Sequence, residues 1–212
     1  MRAIAVIGLA VAGAFLVGCS AVQISPETKG QQLIVTPVRG ASAQLVVKQQ
    51  FQQKVIQVKP VGKKWGSVKL DVAVGGPLTK SVASYATALI PSTRIGDRDD
   101  GQPAAVRIEL VDASIEIGTN DSTAHNTGMF IPFALFAMDA EALASINVDA
   151  TVAYCGGEPR SVSVNGKASE IMNYSAIGFP ELERLMAVAM DDAARAISER
   201  IANELRPCGK QP

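Results

Sequence analysis

The sequence predicts an α+β fold: a single, mostly antiparallel sheet with two helices packed on one face. Three observations predict it. Val68, Leu70, Val72 and Val74 recur at every second position, and so do Val106, Ile108 and Leu110, then Ile115 and Ile117. Period two marks a strand with one buried side. Two further alternating stretches, 146–155 and 161–171, flank Gly156-Gly157-Glu158-Pro159-Arg160, the pattern of a hairpin. Finally, Val82, Tyr85, Ala86 and Leu89 form one helical stripe, and Leu182, Leu185, Met186, Ala189, Ala193, Ile197, Ile201 and Leu205 form a longer one. Each stripe and each alternating strand leaves one apolar side, and these sides must meet.

The first element is a leader. Arg2 precedes an apolar run over residues 3–17, and the chain turns polar at Ser20, Gln23, Ser25, Glu27 and Lys29. A positive start, an apolar middle and small residues before a cut describe a secretory signal peptide over 1–18. The run is shorter than the roughly 20 residues that span a bilayer. Leu16-Val17-Gly18-Cys19 resembles the lipobox of bacterial lipoproteins. That resemblance implies a lipid on the Cys19 sulfur, cleavage before Cys19 and acylation of its amine. Two or three acyl chains make attachment durable, each buried methylene contributing about 0.8 kcal/mol. Ser20 stands where enteric lipoproteins retained at the inner membrane carry Asp, so the resemblance implies an outer-membrane anchor facing the periplasm.

Residues 19–30, with Pro26 and Gly30, read as a tether, and 31–212 as one domain. Within that domain, 31–35 reads as a first strand stopped by Thr36-Pro37, and 39–44 as a loop. Leu45, Val47, Phe51, Val55 and Val58 suggest an extended strand bent near Gln49-Gln50, with a helix as the competing reading. A turn with Trp65 precedes the strand 68–74. Gly75-Gly76-Pro77 should break that strand, and Thr79 should cap a helix over 80–90. Residues 92–103 read as a polar loop. The strand 105–117 slips phase near Val111-Asp112, the sign of a bulge. Pro180 opens a last helix over 181–206, with Glu181 and Glu183 at its positive end and Arg206 at its negative end.

Hydrophobic residues make up 48% of the 212, enough for a real core, while Lys+Arg and Asp+Glu cancel at 20 each. No basic stripe stands out, so no nucleic-acid partner is expected. With Cys19 carrying lipid, Cys155 and Cys208 remain in an oxidising compartment. The strand 161–171 covers roughly 36 Å away from its turn. The helix 181–206 covers about 39 Å back. Its end should meet the turn it left, which places Cys208 beside Cys155 and predicts a disulfide between them.

Chemical motifs are near misses. VGGPLTKS lacks the phosphate loop's glycines, with Val74 and Thr79 in their places. The loop from Asp97 to Gly101 resembles a calcium loop, but its twelfth position is Ile108 rather than Glu. His125 is the sole histidine, with no free cysteine to complete a zinc site and no G-x-S-x-G to complete a triad. No metal and no cofactor is expected beyond the lipid on Cys19, and nothing argues for an enzyme. The most apolar mature stretch is 129–138. It reads either as core or as an exposed contact patch carried by Met129, Phe130, Phe133 and Phe136, touching the bilayer or a partner.

The order of strand, helix, strand, hairpin and long helix behind a lipobox resembles small outer-membrane lipoproteins of the YajG kind. More loosely it is similar to the lipopolysaccharide-assembly and transport-auxiliary lipoproteins. The likeness covers about 68–205 and implies a non-enzymatic envelope accessory. Two readings follow: an interaction protein that binds another envelope protein, or a carrier or sensor holding a lipid or other apolar ligand between helix and sheet.

Overall fold

The structure is a computed structural model and describes residues 21–30, 36–121 and 138–205. Its elements are β1 Val22–Ile24, β2 Ser42–Val46, α1 Gln49–Gln52, β3 Val55–Val58, β4 Leu70–Ala73, α2 Gly75–Leu89, β5 Ser92–Gly96, β6 Val106–Asn120, β7 Asp139–Tyr154, β8 Arg160–Asn173 and α3 Phe179–Glu204.

The expected single, mostly antiparallel sheet is corrected to two mixed sheets. One has the order β1-β4-β3, the other β5-β2-β6-β7-β8. β2 runs parallel to both β5 and β6, and β1 runs parallel to β4. A third, short helix, α1, replaces the bend expected near Gln49. The polar loop expected over 92–103 begins with β5, whose chain must run back before β6 can start in the same direction. Residues 97–105 make that return over the outer face of β2, where the Gln44 side chain donates to the Arg98 carbonyl at 3.4 Å. Gln44 is thereby buried although it points away from the core.

The hairpin expected around Gly156 forms, β7 pairing with β8 from Val152–Arg160 to Asp139–Asn173, with β7 starting seven residues before the expected 146; β6 pairs with the other edge of β7. β6 and β7 pair from Val106–Tyr154 to Asn120–Glu141, with the register shift falling between Leu110 and Asp112 as the phase slip predicts. Even-numbered residues of β7, from Ala140 to Val152, are at most 6% exposed. Glu141, Ser145, Asn147, Asp149 and Thr151 take the opposite, wetter face. α3 lies directly on the even face. At Gly166 of β8 an added Cβ would stand 2.0 Å from the Ala189 carbonyl oxygen and 2.6 Å from the Ala193 nitrogen. Leu182, Leu185, Ala189, Met190 and Ala193 fill that interface and are all 2% exposed or less. Pro180 opens the helix, and the Glu181 carboxylate accepts the Gly178 N–H at 2.8 Å.

α2 starts five residues earlier than Thr79 suggests. Gly75 and Gly76 do not break the chain but form the first turn. A Cβ on Gly75 would meet the Phe51 carbonyl at 1.7 Å, so α1 and α2 approach there only through glycine. Pro77 is tolerated because first-turn N–H groups have no partner inside the helix. Thr79 donates back to the Gly75 carbonyl at 2.7 Å instead of capping.

The segment read as a tether is not free. Val22–Ile24 forms a strand on β4, and Ile24, Pro26 and Thr28 are buried in alternation. Their neighbours bond across to the helices. The Ser25 N–H donates to Glu183, the Lys29 N–H donates to Asp191 and the Thr28 hydroxyl donates to the Pro77 carbonyl, at 3.2, 3.2 and 3.1 Å. Asp191 also accepts from Ser81 of α2, so one carboxylate ties the strap to both helices.

Candidate functional site

β6 carries the chain from one end of the molecule to the other. The end where β6 finishes, called the base here, gathers four pieces of chain. The segment 59–69 joins β3 to β4 and bridges to β6 at Val61–Gly118. Its Lys63 and Lys64 N–H groups donate to the two Asp121 oxygens at 3.0 and 2.9 Å. Trp65 donates its ring N–H to the Thr119 hydroxyl at 3.2 Å and packs on Phe179 at the start of α3, ring centroids 5.4 Å apart. Tyr174, past the end of β8, donates its N–H to the Met138 carbonyl at 2.8 Å. Gly118 is required at the crossing: its φ is +152°, and a Cβ there would stand 2.1 Å from the Val61 oxygen.

Lys64 closes the cluster. Its ammonium donates to the Tyr174 carbonyl and lies 4.6 Å from the centre of the Tyr174 ring and 5.9 Å from that of Trp65. Burial lowers its pKa from the ordinary lysine value, against the opposing pull of Asp121 and Glu181. Burial likewise raises the pKa of Tyr174, helped by the charge of Asp121 and a hydrogen bond to it. Asp121 thus accepts from two backbone amides and a phenol. A carboxylate so fully engaged is a clamp rather than a general base. Among the described residues no group of three or more His, Cys, Asp or Glu side chains could hold a metal.

The base is also where other segments enter. The chain leaves β6 at Asp121 and re-enters at Met138, the last residue of the apolar stretch, so that end of the stretch sits here. Val22 donates its N–H to the Lys69 carbonyl at 3.0 Å, which brings Ala21 to the same end. Lys59, Lys63 and Lys69 are exposed around it. The segment from Lys59 to Lys69 contains four lysines and no acid. Reading the sequence for a long basic stripe misses this cluster, because its lysines converge through a turn rather than along one element.

The opposite end holds an open groove of about 730 Å³, lined among others by Gln44, Asp99, Arg107, Cys155 and Pro159. Asp99 pairs with Arg107 at 2.5 Å and Asp100 with Arg94 at 2.8 Å, which fixes the returning loop along its rim. The Gln102 N–H, with Arg94, holds Asp100 below the usual carboxylate pKa. These acids are spent on arginines and turn amides, the bland alternative to a calcium loop. α3 ends beside this groove, where Glu204 accepts from Tyr154; burial first, then Glu204, pushes the Tyr154 pKa up to about 12.

Of the residues singled out from sequence, Cys19, His125, Met129, Phe130, Phe133, Phe136 and Cys208 lie outside the described residues, as does the strand expected over 31–35. Cys155 is described: it follows β7 with φ +51° and is disulfide-bonded.

No family model matches the chain, and no curated protein matches it. Similar solved structures include a minor lipoprotein from Acinetobacter baumannii, 14% identical, with a TM-score of 0.44 over 83% of this chain and 100% of that one. A putative neuraminyllactose-binding hemagglutinin homolog from Helicobacter pylori is 11% identical, with a TM-score of 0.46 over 85% and 92%. The rare lipoprotein B from Shewanella oneidensis is 16% identical, with a TM-score of 0.39 over 76% and 91%. At such values the likenesses are descriptive, and the functional reading below rests on the chain's own residues.

Proposed function

We propose that this chain is an outer-membrane lipoprotein, anchored through lipid on Cys19, that faces the periplasm and acts without catalysis by binding another envelope protein. The lipobox-like Leu16-Val17-Gly18-Cys19 supports the anchor. The observation that favours an interaction protein over an apolar-ligand carrier is the closed seam between α3 and the sheet. Gly166 touches the α3 backbone, and Ile146, Val148, Leu185 and Met190 are 2% exposed or less, so no ligand fits between helix and sheet there. Among the described residues no helix is long and apolar enough to cross a membrane. The order of the chain's elements supports a likeness to small outer-membrane lipoproteins of the YajG kind.

The test is mass spectrometry of protein purified from membranes, joined to crosslinking in intact cells. The expected result is a diacylated or triacylated Cys19 as first residue and a defined envelope protein crosslinked to the domain. A stoichiometric lipid retained by the Cys19→Ser protein, with no protein crosslinked, would replace this reading with the carrier.

A further inference from the structure

The base of the molecule brings together three things that sequence keeps apart: the described start of the chain at Ala21, Met138 at the end of the apolar stretch, and the acid-free lysine segment 59–69. We infer that this lysine segment is a contact surface for anionic phospholipid headgroups, which seats the domain on its base and points the groove end away from the bilayer. The inference deepens the anchored reading proposed above.

Reach is the first argument. Ala21 is two residues after Cys19, and Val22 is already hydrogen-bonded to Lys69. Three residues of extended chain span at most about 11 Å. A lipid on Cys19 therefore holds Lys69 close to the headgroup layer, with no slack for the domain to stand off. A free twelve-residue tether would have left orientation open; the strap bonded to Glu183, Asp191 and Pro77 removes that freedom.

Charge is the second. Lys59 and Lys69 are exposed. Three acids at this end have other partners: Asp121 holds the Lys63 and Lys64 amides, Glu181 the Gly178 amide, and Asp71 accepts from Gln57. A lysine held at an anionic membrane surface strengthens attachment about fivefold. At physiological salt the attraction fades over about 8 Å, a length comparable with the roughly 11 Å that the link spans at most.

The experiment labels lysines with an acylating reagent and reads each site by mass spectrometry. The lipidated protein is reconstituted in vesicles of phosphatidylcholine alone or with phosphatidylglycerol. Lys48 and Lys80, exposed on other faces, are the internal references. Labelling of Lys59 and Lys69 is expected to fall about fivefold on phosphatidylglycerol vesicles relative to the references. The Cys19→Ser protein mixed with the same vesicles should show the same pattern, lost at high salt. The Lys59→Gln/Lys69→Gln variant, altered only at exposed positions, should stay anchored while losing the phosphatidylglycerol-dependent protection of Lys63. Equal labelling on both vesicle types, or new hydrogen-exchange protection at 97–103 in place of 59–69, would overturn the inference. An unmodified Cys19 in the membrane-purified protein would sink the anchor alone, because the Cys19→Ser arm reads headgroup contact without it.

Discussion

Asp121 shows how much one side chain can organise. It is 3% exposed and holds the 59–69 segment onto β6 through two backbone amides. Asp121→Ala would leave both N–H groups unanswered beside a half-buried Lys64 and should cost about 3 kcal/mol of stability, read from urea midpoints. Asp121→Asn keeps one acceptor and should cost less. Tyr154 gives a pH signature. Its pKa rises from 10.0 unfolded to about 12 folded, so the fold favours the neutral phenol. Its stabilisation is complete below pH 10 and is lost as pH climbs through about 12. Lys64 works in the opposite sense, because a lowered lysine pKa makes folding more favourable as pH rises toward 10.5. Comparing wild type with Tyr154→Phe cancels the lysine contribution. The variant should lose less stability than wild type between pH 9 and 11.5, and equal losses would refute the assignment.

At the scale of elements, the contact between α3 and β8 is made by a missing side chain. Gly166→Ala would drive a Cβ into helix backbone, which cannot move aside as a flexible side chain could. A loss of about 3 kcal/mol is expected, measured by thermal unfolding. Gly76→Ala is the matched control: its Cβ would meet nothing nearer than 3.7 Å, and the change should be neutral or slightly stabilising. The same elements explain what sequence could and could not tell. The β7–β8 hairpin and α3 were legible, the first from a turn flanked by two alternating stretches and the second from a stripe buried along 26 residues, whereas the first seven residues of β7 were not. β5 was not. Its five residues are exposed or half-buried, and it is held by parallel pairing to β2 across a long crossover, which leaves no local pattern. α2 began early because a close approach to Phe51, invisible in sequence, makes Gly75 a helix residue rather than a breaker. The strap 21–30 looked like linker because its composition is polar; only its pairing with β4 and its bonds to α2 and α3 reveal it. Of the candidate site, Lys64 and Asp121 escaped notice because their meeting depends on the Val61–Gly118 crossing.

Across the whole molecule, the two ends are fixed by different constraints, and the far one yields a covalent prediction. Cys155 is disulfide-bonded, and the chain has three cysteines. Tyr154, its neighbour, bonds to Glu204 at the end of α3, so the helix does return to the turn, as the matched lengths of strand and helix suggest. Cys208 is three residues past Leu205, a reach of about 11 Å at most. Ala21, two residues after Cys19 in sequence, lies instead at the opposite end, where Val22 donates its N–H to the Lys69 carbonyl. Pairing Cys155 with Cys208 leaves Cys19 for lipid, and pairing it with Cys19 would need the chain to cross the length of the hairpin. A non-reducing peptide map should therefore contain a Cys155–Cys208 fragment, and a Cys19–Cys155 fragment would remove both bridge and anchor at once. The bridge closes a loop of about 50 residues, so Cys208→Ser should lower stability by about 3–4 kcal/mol. That loss should appear as unlocking of the α3 end beside the groove. Hydrogen exchange should quicken first at 198–205 and leave the base, held by Asp121 and Trp65, unchanged.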